Sequence, residues 1–146
     1  MTKECFIFDI DGTLADGSHR IHHITSGKKN WDAYFQALHG DTLIEPISRL
    51  AKTLAICFDI VYVSGRPEKY REQTEMWLDN IGLPLGPLYM RPLGDRRDDD
   101  IVKIELLAKL RADGFAPIMA FDDRNRVVAA WRKAGITCAQ VAEGDF

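Results

Sequence analysis

Five short apolar runs that do not alternate with polar residues constrain this chain more than any other feature. They are Cys5–Asp9 (CFIFD), Asp59–Val63 (DIVYV), Leu88–Arg91 (LYMR), Pro117–Phe121 (PIMAF) and Ile136–Val141 (ITCAQV). A strand with one wet face alternates, whereas a strand buried on both faces does not, and such strands belong to parallel sheets covered by helices. Segments of helical period separate the runs. Ile47, Leu50, Ala51 and Leu54 recur at i, i+3, i+4 and i+7 behind Pro46, and Pro67 is expected to open a helix carrying Tyr70, Trp77 and Ile81 that stops at Gly82. Asp98–Asp100 place carboxylates at the positive end of a third helix, which reaches Arg111 before Gly114; Arg124–Ala134 forms a fourth, closed by Gly135. Strands alternating with helices predict an α/β fold: a Rossmann-like parallel five-stranded sheet with helices on both faces. The 146 residues suffice for one such domain.

One stretch stands outside this rhythm. Residues 15–45 are polar and rich in His and Gly, with a single short helical candidate, Trp31–Leu38 behind Asn30. The segment reads as a small cap-like insertion over the sheet edge. Cys5, Cys57 and Cys138 each sit in apolar surroundings without a C-x-x-C pair, so three buried thiols in a reducing compartment are expected. The N-terminus carries no signal-like apolar stretch and no run approaches a membrane span, so a cytoplasmic protein with no membrane partner is expected. An oligomeric state is left open.

The acidic residues are unevenly chosen. Of 22, 15 are Asp, and they cluster at Asp9/Asp11, Asp98–Asp100 and Asp122/Asp123. Asp favours caps, turns and loop ends, where ligand sites lie, and avoids helix interiors. The net charge of −3 excludes a strongly basic nucleic-acid coat, but not a local basic site. The strongest motif is Asp9-Ile10-Asp11-Gly12-Thr13-Leu14. At strand period Asp9 and Asp11 share one side, Ile10 turns to the core, and Gly12 permits the positive φ that leaves the strand sharply. Paired carboxylates at the carboxyl end of a parallel strand sit where open α/β sheets bind ligands, and their mutual repulsion calls for a hard divalent cation.

Three further signals follow in order at strand ends or helix starts. Ser64-Gly65-Arg66 offers a hydroxyl, a flexible amide and a guanidinium, all donors for phosphate oxygens. Lys103 supplies a point charge on the helix after Asp98–Asp100. Asp122-Asp123 adds carboxylate oxygens for the metal, giving a metal set of Asp9, Asp11, Asp122 and Asp123.

In this order the residues resemble the haloacid dehalogenase superfamily, whose DxDGT[LV] motif matches Asp9–Leu14 and whose later motifs match Ser64, Lys103 and Asp122-Asp123. The resemblance implies that Asp9 attacks phosphorus to form an aspartyl-phosphate and that Asp11, bearing the acid that phosphatases and mutases carry, protonates the leaving oxygen and then activates water. It also implies Mg²⁺ held by the Asp9 carboxylate, the Asp11 backbone carbonyl and Asp122, with Ser64, the Gly65 amide and Lys103 holding the transferring group. Thr13, within the first motif, joins the phosphate-binding set. The central strand order implied is 5-4-1-2-3.

The C-terminal half, from Ser64-Gly65-Arg66 through Gly94–Lys103 and Asp122-Asp123-Arg124 to Gly144-Asp145-Phe146, resembles the 3′-phosphatase domain of phage polynucleotide kinase. That resemblance implies a role for Asp99, four residues before Lys103, and a phosphate contact for Arg66. It points to a phosphorylated nucleic-acid end or nucleotide as substrate, most specifically a polynucleotide 3′-phosphate. A small-molecule phosphatase such as a mononucleotidase and a non-catalytic module that binds phosphorylated ends stay open beside it. No G-x-x-x-x-G-K-[ST] phosphate loop occurs in the chain. Residues 15–45 depart from the family pattern. There His19, Arg20, His22 and His23 can contact substrate, bind a second metal, or face solvent. Trp31, Tyr34 and Phe35 can stack on a nucleobase or pack onto the domain. Arg91, Arg96, Arg97, Arg124 and Arg126 can rim the site or pair with neighbouring aspartates.

Overall fold

Alternate residues of the first strand face opposite sides, and that single fact organises the molecule. The computed structural model describes residues 2–146. Strand β1 (Lys3–Phe8) sends Phe6 and Phe8 into one core and Cys5 and Ile7 into another. It lies at the centre of a parallel sheet with β4 (Asp59–Pro67) and β5 (Leu88–Arg91) on one flank and β6 (Phe115–Asp122) and β7 (Cys138–Gln140) on the other. Counting these five strands along the chain gives 3-2-1-4-5, which from the opposite edge is the expected 5-4-1-2-3.

Helices α3 (Glu45–Leu54) and α4 (Arg71–Asn80) cover one face through Ala51, Trp77 and Leu78. Helices α5 (Asp99–Ala112) and α6 (Asn125–Lys133) cover the other through Val102, Leu106, Val127 and Trp131. Burial on both faces is why the strands read as unbroken apolar runs.

Several details differ from the sequence expectation. Pro67 closes β4 instead of opening a helix; a 3₁₀ turn over Glu68–Tyr70 intervenes before α4. Ser64-Gly65-Arg66 is not a turn beyond the strand but its last part, with Gly65 and Arg66 bulging out of register between Ser64 and Pro67. Such bulges re-aim side chains beside active sites. Cys57 is exposed, since it falls in the turn after α3; only Cys5 and Cys138 are buried thiols.

The insertion is closed at its neck by a two-stranded antiparallel ribbon of β2 (Ala15–Asp16) and β3 (Thr42–Leu43). Above it lie α1 (His22–Thr25) and α2 (Trp31–Gln36), the latter capped by the Asn30 side chain accepting from the Ala33 amide at 3.0 Å. No helix among the described residues is long and apolar enough to cross a membrane.

Candidate active site

Where β1 ends, the chain must turn abruptly without losing the sheet. The Asp9 amide still donates to the Phe121 carbonyl at 3.0 Å, and three successive amides, of Thr13, Leu14 and Ala15, then donate to Ile10 O. Gly12 makes this possible with φ +80°, and a Cβ there would lie 2.2 Å from Asp123 Oδ2. The turn thereby packs the first acidic motif against the last one.

Asp9 forms the floor of a cleft of about 810 Å³ at the carboxyl edge of the sheet, and only 5% of it is exposed. Its Oδ1 accepts from Lys103 Nζ at 2.8 Å and its Oδ2 from the Thr13 hydroxyl at 3.0 Å. Lys103 projects from α5 and also reaches Asp122 Oδ2 at 2.8 Å and Asp99 Oδ2 at 3.8 Å. Asp122 is fixed by the Asp123 amide at 2.9 Å and the Trp131 indole at 3.3 Å. Burial, then Asp122, pushes the Asp9 carboxyl well above its usual range, against the pull of Lys103. Burial alone would lower Lys103, but Asp122, Asp9 and Asp99 reverse this and hold it firmly protonated.

Asp9, Asp122 and Asp123 offer oxygens that all lie within 4.8 Å of one another. One buried ammonium, bonded to Asp9 and Asp122, faces three carboxylates, so the group holds more acid than base. That donor set fits a hard divalent cation. The Asp11 carboxylate does not join this group. It turns to two guanidiniums: Arg66 Nε and Nη2 donate to it at 3.0 and 2.7 Å, and Arg20 Nη2 at 2.8 Å. Burial on its own would raise Asp11, but Arg66 and then Arg20 overcome it and hold the carboxyl at about 2.

Both arginines are buried, and both depend on a residue that the motifs do not contain. Asp41, with its side chain fully enclosed, accepts from Arg20 Nε and Nη2 at 2.7 Å each and from Arg66 Nη2 at 3.3 Å. His19 Nε2 lies 2.9 Å from the same carboxylate. Asp41 follows Gly40 in a polar stretch with no motif around it. The only signal for it is indirect: two arginines that leave solvent require a second anion beside Asp11.

The remaining expected residues fall into two groups. Gly65 and Asp99 line the cleft, so closely apposed that a Cβ on Gly65 would lie 1.9 Å from Asp99 Oδ1. Arg91 locks both, donating to Gly65 O at 2.9 Å and to Asp99 Oδ1 at 3.1 Å. Ser64 is buried behind them, its hydroxyl accepting from the Arg66 amide at 3.1 Å. Arg66 reaches the cleft, whereas Arg20, His19 and His23 do not line it. Arg20 and His19 are drawn back onto Asp41, and His23 packs against His22 with ring centroids 4.0 Å apart. No histidine takes part in a metal-ligand cluster among the described residues.

The walls complete the site. Trp31, Tyr34 and Phe35 line the cleft, as do Arg91, Arg96, Arg97 and Arg124. Most of the arginines are paired: Arg97 with Asp95 and Glu105, and Arg126 with Asp98 and Asp100. Arg96 is exposed and has no ion-pair partner among the described residues.

Comparison with known proteins agrees with this geometry. A sequence model of the family described as the polynucleotide kinase PNKP phosphatase domain matches residues 3–146. A putative bifunctional polynucleotide kinase/RNA ligase of Autographa californica nuclear polyhedrosis virus is 28% identical over 127 residues, covering 85% of this chain and 17% of that protein. Solved structures of a Pnkp1/Rnl/Hen1 complex and of the Pnkp1/Rnl/Hen1 RNA repair complex superpose with TM-scores of 0.86 and 0.83 at 31% and 30% identity. They cover 99% of this chain and 47% and 44% of the matched chains, so this chain spans less than half the length of each of these relatives. A class C acid phosphatase from Bacillus anthracis shares the fold, with a TM-score of 0.68 at 17% identity over 92% of this chain and 62% of its own.

Proposed function

Because this chain belongs to the family of polynucleotide kinase phosphatase domains within the haloacid dehalogenase superfamily, we propose that it is a Mg²⁺-dependent phosphomonoesterase that removes the 3′-phosphate from a polynucleotide end. The observation that carries this reading is the floor of the cleft, where Asp9, held by Thr13 and Lys103, is one of a group of three carboxylates. Asp9, Asp122 and Asp123 would hold the cation. When bound, it neutralises the crowded carboxylates and the phosphoryl oxygens.

An Asp9 oxygen attacks phosphorus in line; the bond from phosphorus to the nucleotide 3′-oxygen breaks, and that oxygen takes a proton from Asp11. Water then attacks the aspartyl-phosphate, gives its proton to Asp11, and releases phosphate with Asp9 restored. Lys103 lies against the nucleophile and stabilises the charge of the transferring group, with the Gly65 amide and Ser64 hydroxyl as further donors. The arginine grip keeps Asp11 ionised before substrate arrives, which is the form the second step needs. A phosphate dianion beside Asp11 raises its pKa through like-charge repulsion and competes for the Arg66 guanidinium, and this supplies the protonated form for the first step.

The relatives named for polynucleotide kinase, RNA ligase and RNA repair support a nucleic-acid end over a free mononucleotide. Phosphate release should be measured with 3′-phosphorylated and 5′-phosphorylated oligonucleotides and with mononucleotides, each with and without Mg²⁺. The expected result is Mg²⁺-dependent release with the 3′-phosphorylated oligonucleotide preferred. Silence on all of them, or equal turnover of the mononucleotide, overturns the proposal.

A further inference from the structure

A ladder of three nearly parallel rings, two from the insertion and one from the body, runs from the core to the cleft. Tyr70 is buried at its foot, Phe35 stacks on it at 5.0 Å and 28°, and Trp31 follows Phe35 at 6.1 Å and 25°. Trp31 is the most exposed rung, at 50%, and lines the same cleft as Asp9, with the Lys29 ammonium 5.9 Å from its ring centroid. The ladder is held rigid from below. The Tyr70 hydroxyl donates to Asp32, and Lys69 reaches the same carboxylate at 3.3 Å, so helix α2 is pinned to the body one residue from Trp31. Arg96, exposed and without an ion-pair partner among the described residues, lines the same cleft.

A tryptophan that served only to pack would be covered by its neighbours, as Trp77 and Trp131 are. Here instead a half-exposed indole and an exposed guanidinium line the cleft that holds the phosphoryl-transfer floor. Nucleobases stack on such faces whatever their sequence, and guanidiniums take the backbone phosphate. The cleft volume of about 810 Å³ suits the end of one strand. We infer that Trp31 is the stacking platform for the terminal nucleobase of a single-stranded nucleic-acid end, with Arg96 as a contact for its backbone. The inference rests on the phosphatase reading of the floor and adds to it what the walls select.

The test pairs the protein with the substrate. Two single-stranded 3′-phosphorylated oligonucleotides are compared, identical except that one has an abasic terminal nucleotide. The native chain should show a KM on the order of tenfold higher for the abasic end. In Trp31→Ala this ratio should collapse towards unity, and Trp31→Phe, which keeps a π face, should restore most of it. A native chain indifferent to the base, or a Trp31→Ala variant that keeps the full ratio, overturns the platform. A second readout does not need turnover. In Asp9→Asn, which should bind without hydrolysis, the base-bearing oligonucleotide should quench tryptophan emission, and adding Trp31→Ala should remove that quenching, since Trp77 and Trp131 are buried. If neither oligonucleotide releases phosphate, the phosphatase reading fails by itself. Quenching then still decides the platform: its presence sustains Trp31 stacking and its absence overturns it.

Discussion

Replacing Asp41 by Asn should cost more stability than any surface change, although Asp41 lies outside every motif. In the native cluster two guanidiniums, Arg20 and Arg66, are balanced by two carboxylates, Asp11 and Asp41. Asp41→Asn keeps the volume but leaves both cations sharing Asp11, and it turns an amide N–H₂ towards a guanidinium that needs an acceptor. Removing one partner of a buried ion pair costs about 3–5 kcal/mol. Asp11 is 34% exposed along its side chain, so water relieves part of the excess charge and the lower end, about 3 kcal/mol, is expected. For a chain of this size that corresponds to a fall in Tm of roughly 6–12 °C. Trp77 is not part of the loss, because its indole donates to the Asp41 backbone carbonyl at 3.0 Å and that group remains. Thermal melts followed by circular dichroism, with urea titrations for the free energy, read the effect, and Glu72→Gln on the exposed side of α4 serves as a control within about 0.5 kcal/mol. An Asp41→Asn protein melting within 2 °C of the native chain, as a rough threshold, would refute the argument that this carboxylate balances the arginines.

Other expectations test separate parts of the structure. Asp9→Asn should abolish phosphate release while preserving the circular dichroism spectrum; undiminished turnover rules out the aspartyl-phosphate route. Gly65→Ala should lower kcat/KM steeply, because its Cβ must displace the Asp99 carboxylate that Arg91 holds, and unaltered kinetics would show that this contact does not matter. Mg²⁺ at about 100 times its Kd should stabilise the chain by roughly 2.7 kcal/mol, visible as a rise in Tm that Asp122→Asn abolishes. The thiols make a prediction about pH. Burial, with Asp59 acting on Cys5 and Asp122 on Cys138, pushes both up to about 11, above the free-thiol value of about 8.5. The folded state therefore resists ionisation that the unfolded chain permits: the stability is complete below about pH 8.5 and is lost as pH rises towards 11, with a loss on the order of 1–2 kcal/mol per thiol by pH 10. Denaturation at pH 7 and pH 10 measures it, and at neutral pH a thiol reagent should label Cys57 rapidly and the other two slowly.

What could be read from the sequence was whatever rests on local chemistry. The unalternating runs marked the strands because burial on both faces is written residue by residue, and Asp9, Lys103 and Asp122 stood out because each sits where a strand ends or a helix starts. Long-range pairing left no such trace. Arg20 carries the same charge whether it binds substrate or sits enclosed against Asp41, 21 positions away, and only the folded insertion distinguishes the two. The same holds for the imidazoles: His19 turns to Asp41, and the chain presents its aromatic helix to the cleft in place of its histidines. Pro67 misled for a local reason, since a proline that can open a helix can equally end a strand at a bulge.

The cluster that binds the insertion to the sheet also limits how this chain can be recombined. Arg20 and Asp41 lie on the two arms of the insertion, Arg66 on β4 and Asp11 beyond β1, so each half of the charge balance is encoded in both parts. The insertion therefore cannot be exchanged as an independent cassette. A donor segment lacking either residue would strand a charge on the recipient's own Arg66 or Asp11. By the same logic the hydrogen-bonded amides beside the cluster, such as those of Arg20 and Asp41, should exchange their hydrogens only with global unfolding, because the insertion cannot peel away without separating four ions.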